Sequence, residues 1–184
     1  MKTSRFLSEF GETLPPIGYV NFCRSHAEDC LPGDRHATRV ELTPERWQEL
    51  QQVNTYVNTT IEPATDEELY NLPEYWTYPG SKGDCEDYVL LKRRYLIGLG
   101  WPASALRITV VLDDQDAGHA VLTVATDRGD LVLDNQEPEI LPWLETSYTF
   151  VKRQSQNHPM VWVALQPVPG RSHGVVSGPA MPRQ

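Results

Sequence analysis

The hydrophobic pattern changes its period partway along the chain, and that change predicts the layout. In LTPERWQELQQVNTYVNTTI, residues 42–61, Trp47, Leu50, Val53, Asn54 and Val57 recur at helical spacing and form one broad stripe. Thr43 suits the cap and Pro44 the first helical position. A short helix is expected from Thr65, where TDEE pairs Thr65 with Glu68 as a capping box. Pro79, Gly80, Ser81 and Gly83 read as loop. From about Asp84, the residues Tyr88, Leu91, Tyr95 and Leu99 form a second apolar stripe, widened by Leu90 and Ile97. Lys92, Arg93 and Arg94 fall on its charged side. Gly100 and Pro102 stop this helix, which therefore begins at or just before Cys85.

Beyond residue 105 the period shortens to two, which predicts strands over 106–113, 119–126 and 130–135, with 147–154 and 160–166 as further candidates. DDQDAG and DRG are the turns between the first three. A cysteine-bearing helix followed by an antiparallel meander is an α+β layout. Residues 1–40, rich in Pro, Gly and charge, read as an extended arm over the core. Residues 41–166 form that core, and 167–184 has the composition of a loose tail.

A chain of 184 residues with 40% hydrophobic content suits one domain with a real core. The net charge of -9, with no Arg/Lys stripe, argues against a nucleic-acid partner. No apolar run approaches a membrane span. The first twenty residues hold no continuous apolar stretch, so they do not read as a signal peptide, and a cytoplasmic location stays open.

Three residues carry the candidate chemistry. Cys85, in GSKGDCEDYVLL, falls in the first turn of a predicted helix, where backbone N–H groups favour a thiolate and can stabilise an oxyanion. Asp84, Glu86 and Asp87 oppose that thiolate, so something must offset them. His119, opening a strand in DAGHAVLTV, can supply a histidinium. Asp134 ends the next strand in GDLVLDNQEP, and the short DRG turn brings it back beside His119, which it would orient and stabilise when charged. Cys85 then needs one tertiary contact, helix against sheet. Taken singly, the three have ordinary alternatives: a core thiol, a buried histidine and a turn aspartate.

The acidic triplet Asp84, Glu86 and Asp87 also offers hard oxygen ligands for calcium, or simply complements a helix N-terminus. Cys23 and Cys30, seven apart, permit a disulfide in an oxidising compartment, two reduced thiols, or a metal site with His26 and His36.

GDCEDYVLLKR (83–93), GHAVLTV (118–124) and LVLDNQ (131–136), in this order, resemble the bacterial transglutaminase-like cysteine proteinases. The upstream NFCRSHAEDC resembles a cysteine-containing segment of many members, so the likeness runs from about residue 18 to 165. It implies a papain-like fold of the transglutaminase type, with Cys85 as nucleophile, His119 as base and Asp134 as its partner. The family includes a calcium-dependent periplasmic protease that releases biofilm adhesins. Its calcium-linked acidic residues fall on Asp84 and Glu86, with Asp87 also matched. The resemblance further implies an extended protein substrate, a periplasmic or exported location, and a membrane-anchored regulatory receptor as a partner. An amidase or acyl transferase using the same thioester, and a non-catalytic binding module, are the competing expectations.

Overall fold

The computed structural model describes residues 3–34, 39–167 and 169. The N-terminal segment supplies β1 (Glu12–Thr13) and α1 (Ile17–Ser25). There follow α2 (Pro44–Thr60), β2 (Glu62–Pro63), α3 (Asp66–Tyr70), β3 (Lys82–Gly83) and α4 (Cys85–Gly98). The second half is β4 (Leu106–Leu112), β5 (Gly118–Thr126), β6 (Gly129–Leu133), β7 (Leu141–Pro142), β8 (Thr149–Gln154) and β9 (Trp162–Ala164). This is the expected α+β layout.

Seven strands form one sheet in the order β1-β9-β8-β4-β5-β6-β7, with every neighbouring pair antiparallel. Strands β4, β5 and β6 are the predicted meander. The chain then departs from it, because β8 returns to the free edge of β4 instead of continuing past β7. β2 and β3 pair separately, in parallel, and tie the end of α2 to the loop before α4. The main core lies between the helices and one sheet face, where Leu50, Val57, Tyr88, Leu96, Ile108, Leu122, Val124 and Trp162 are buried. A smaller cluster of Leu7, Val111, Val121, Val132, Phe150 and Leu165 fills the other face.

Local chemistry explains the helix ends. The Thr43 hydroxyl accepts from the Arg46 N–H, and Pro44 stands first in α2. Thr65 and Glu68 form the reciprocal capping box of α3. Asp84 and Asp87 form another on α4.

Two expectations are corrected. Residues 1–40 are not purely an extended arm. Tyr19, Phe22 and Cys23, at helical spacing, bury one side of α1, and a 3-10 turn follows at Ala27–Cys30. Helix α4 also turns a different face inward. Val89, Lys92, Arg93 and Leu96 are buried at successive spacings of three, one and three, whereas Tyr95 and Leu99 are 39% and 54% exposed. Arg93 tolerates burial because its Nε donates to the Leu106 carbonyl at 2.9 Å and its guanidinium reaches the Asp29 carbonyl at 3.5 Å. Apart from Pro167 and Pro169, the predicted tail lies outside the described residues, as does His36.

Candidate active site

The sheet contributes a histidine and a carboxylate. Strands β5 and β6 join through Asp127 and Arg128, with Thr126 opposite Gly129, whose φ of 135° suits a glycine. A Cβ there would also lie 2.9 Å from the Arg5 carbonyl of the N-terminal segment. Pairing runs from this turn to Leu122 opposite Leu133. One step further, Asp134 stands level with Val121, and His119 lies two residues along the same face. The two are therefore diagonal neighbours, within side-chain reach.

His119 Nε2 and Asp134 Oδ1 are 2.8 Å apart, and both residues are almost fully buried. Asp134 Oδ1 also accepts from the Gln136 N–H at 3.0 Å, and Oδ2 accepts from the Tyr148 hydroxyl at 2.5 Å. Asn58 of α2 donates through Nδ2 to the Asp134 carbonyl at 2.8 Å. Burial alone would raise the pKa of this carboxyl, but the hydrogen bond and charge of His119, then Tyr148 and Gln136, outweigh it and hold Asp134 below the usual range. Tyr148, its ring centroid 5.5 Å from that of His119, is pushed up by burial and by the Asp134 charge. With Nε2 committed to Asp134, Nδ1 is the imidazole nitrogen left for proton exchange.

The helix contributes the thiol. Cys85 is the first residue of α4, half-buried, and its sulfur is not in a disulfide. Its Sγ lies 3.1 Å from Glu86 Oε2 and accepts from the backbone N–H of Ala120, the residue after His119. Cys85 thus reaches the strand that carries His119. The described contacts of the thiol itself are to Glu86 and Ala120, not to the imidazole. Burial, then the charge and hydrogen bond of Glu86, push the thiol well above its ordinary range, with only the Ala120 N–H acting the other way.

Beside Cys85 lies a group of carboxylates. One oxygen each from Asp66, Asp84 and Asp87 falls within 4.8 Å of the others. Asp66 comes from the start of α3, so the loop 71–83 folds back to bring it to the start of α4. Gly83 marks the close approach: a Cβ there would stand 2.9 Å from the Asp87 side chain. Asp87 Oδ1 accepts from the Thr77 N–H at 3.0 Å, and Asp66 Oδ2 accepts from the Tyr75 N–H. Asp66 Oδ1 is buried and has no hydrogen-bond partner. Burial first, then the charge of Glu86 on Asp84 and of Asp84 on its two neighbours, push Asp66, Asp84 and Asp87 up to about 6, 7 and 8. Three hard oxygen donors, one of them orphaned, fit a calcium ion and fit no softer metal as well.

The structure brings Asp84 and Asp87 into this group as sequence reasoning grouped them. Glu86 takes another place: it approaches Asp84 but lays its carboxylate on the Cys85 thiol. Asp66 was missed because its stretch reads as a capping box. Tyr148 was missed because β8 reaches the site from the far side of β4, which no hairpin rule predicts. Cys23 and Cys30 are joined by a disulfide with Cα atoms 5.8 Å apart, so neither sulfur serves as a thiolate metal ligand. Trp76 and Tyr78, which precede α4, give their side-chain hydrogens to Glu74 at 2.9 Å and Asp29 at 3.0 Å, so neither offers a free donor to an oxyanion.

Comparison with known proteins shows the family and the fold. The sequence model of the bacterial transglutaminase-like cysteine proteinases (BTLCP) matches residues 9–169. No curated protein matches the chain. Among solved structures, calcium-bound LapG of Legionella pneumophila aligns with a TM-score of 0.57 at 26% identity, over 70% of this chain and 74% of that one. EGTA-treated LapG of the same organism aligns with a TM-score of 0.52 at 28% identity, over 61% of this chain and 64% of that one. A further LapG structure gives 0.52 and 28%, over 61% and 65%. The fold is thus of the transglutaminase and papain type, and the chain belongs to the bacterial transglutaminase-like cysteine proteinase family.

Proposed function

We propose that the protein is a calcium-dependent cysteine endopeptidase in which Cys85 is the nucleophile, His119 the proton carrier and Asp134 its orienting carboxylate. The observation that carries this reading is the buried 2.8 Å bond from His119 to Asp134, beside a helix-start cysteine that touches the next residue of the same strand. His119 takes the thiol proton on Nδ1, and the sulfur attacks a peptide carbonyl. The C–N bond breaks as the imidazolium gives that proton to the departing amine. Water, deprotonated by His119, then hydrolyses the thioester and restores the thiol. The backbone N–H of Cys85 is the oxyanion donor this geometry suggests.

Asp66, Asp84 and Asp87 would hold calcium, with Glu86 as a further ligand once it leaves the thiol. A bound ion would supply the positive charge that these carboxylates lack. Of the matched structures, one is of a calcium-bound protein and one of an EGTA-treated protein, which supports this reading. The substrate would be an extended segment of an exported or surface protein, such as an adhesin. The location would then be periplasmic, and a membrane-anchored receptor the regulator. Among the described residues no helix is long and apolar enough to cross a membrane.

The test is cleavage of an unbiased peptide library by wild type and Cys85→Ala, in calcium and in chelator. The proposal expects products that need both calcium and Cys85. Transfer of the acyl group to an added primary amine in place of hydrolysis would redirect it to acyl transfer. Equal cleavage by the Cys85→Ala variant would refute it.

A further inference from the structure

One buried charge on α4 has no role in the mechanism above. Lys92 lies on the face of α4 that begins with Cys85 and continues through Val89, at positions i, i+4 and i+7. Its side chain has no solvent exposure, and Nζ has no hydrogen-bond partner. Asp134 is the charged group that acts on it, and burial pulls its ammonium down to about 7 against that attraction.

Three amide oxygens near Asp134 are also buried without partners. They belong to Asn54 and Asn58, one turn apart on α2, and to Asn135, the residue after Asp134. Asn58 already donates to the Asp134 carbonyl, and Asn54 donates to the Pro138 carbonyl at 3.3 Å. Helix α4, which carries Lys92, packs against both α2 and β5, the strand that carries His119. Two other buried cations have carboxylate partners: Arg153 meets Asp130 and Glu9, and Arg107 meets Glu9. An ammonium with no hydrogen-bonding partner is costly in a core, where an apolar side chain of the same length would fit more cheaply.

We propose that Lys92 is a positioning residue for the dyad, its buried ammonium balancing part of the charge of Asp134. This rests on the proposed triad. With Lys92 charged, Asp134 stays a carboxylate but holds the imidazole proton less tightly, so His119 can release that proton to the leaving amine. Without it, Asp134 faces His119 with its full charge, and the imidazolium becomes harder to discharge.

The test is the Lys92→Met variant of the full chain, which keeps length and removes charge. The ring of His119 is followed by NMR across a pH series. The expected result is that the ring loses its proton at a pH higher by roughly half a unit or more than in wild type. Lys92→Arg restores the wild-type curve, and the melting temperature of Lys92→Met is unchanged or raised. If Lys92→Met does not fold, the same titration on Lys92→Gln decides. An unshifted curve in a folded neutral variant overturns the proposal. The NMR readout needs no turnover, so it separates this inference from the protease reading, which fails on its own if wild type cleaves nothing and Cys85→Ala changes nothing. Where wild type does cleave, kcat in Lys92→Met should fall about tenfold with KM steady. A loss confined to KM would count against a role in proton transfer.

Discussion

The two halves of the candidate site differ in how completely they are satisfied. On the sheet, each carboxylate oxygen of Asp134 has a donor, His119 is fixed, and Tyr148 closes the side. At the start of α4, the thiol rests on a carboxylate, three aspartates crowd together, and a buried Asp66 oxygen has no partner. Both halves stand on rigid elements, so the contrast is electrostatic. The sheet half has its counter-charges within the fold. The helix half has acids and no cation among its contacts, which is the condition a divalent ion would relieve. On the proposed reading, the fold supplies the partners of the His119–Asp134 pair itself, whereas the acids around Cys85 call for a bound cation.

Substitutions that remove a reacting group should break the contrast most severely. Cys85→Ala and His119→Ala are expected to lower kcat/KM by about 10³-fold or more, Cys85→Ala melting near wild type and His119→Ala melting lower, because the latter leaves the buried Asp134 carboxylate without its imidazole partner. Asp134→Asn should cost about 10²–10⁴-fold, since an amide cannot hold the same imidazole tautomer and charge. Progress curves on a cleaved peptide, with thermal melts beside them, check all three.

Metal removal should act on the helix half alone. In chelator, activity is expected to vanish while the His119–Asp134 bond persists, and calcium at a hundredfold excess over its Kd should stabilise the fold by about 2.7 kcal/mol. Asp66→Asn should abolish that calcium-dependent stabilisation. Isothermal calorimetry and melts with and without the ion decide this.

The same crowding has a pH signature. Asp66, Asp84 and Asp87 are raised to about 6, 7 and 8, above their unfolded values, so the folded chain binds more protons than the unfolded one. Their contribution is therefore fully present below the ordinary value of 3.8 and is lost as pH rises from there through about 6, 7 and 8. In chelator the melting temperature should fall across that window, and calcium should flatten the fall. The buried Lys92, lowered to about 7, acts in the opposite sense, but it is common to both conditions and cancels in their difference. A difference between the two melting curves that is independent of pH would contradict this account.

The smallest effect is expected at Tyr148. Tyr148→Phe removes one donor from Asp134 and leaves the imidazole bond, so kcat should fall about three- to tenfold with KM unchanged.

How far the sequence revealed this site follows from the range of each interaction. His119 and Asp134 were legible because a two-residue turn and period-two alternation fix their distance locally. The start of α4 at Cys85 was legible from its glycine-rich approach and from the helical pattern that follows. Asp66 and Tyr148 were not, because each arrives from an element whose partner is set by tertiary packing: α3 folded onto the start of α4, and β8 returned to β4. The inward face of α4 was misassigned because Lys92 and Arg93 count as polar by pattern, whereas their burial depends on carbonyls and a carboxylate supplied by other segments. Pattern reads local periodicity and says nothing of such partners.

The central claim is that the helix thiol and the sheet dyad work as one unit. The most direct measurement is the rate at which a small alkylating agent modifies Cys85 at neutral pH, in wild type and in His119→Ala, with calcium present. The account predicts fast modification in wild type and a rate at least tenfold slower in the variant, because the thiolate is sustained by the imidazolium. Equal rates in the two proteins would show that Cys85 and His119 do not share a proton, and would contradict the account.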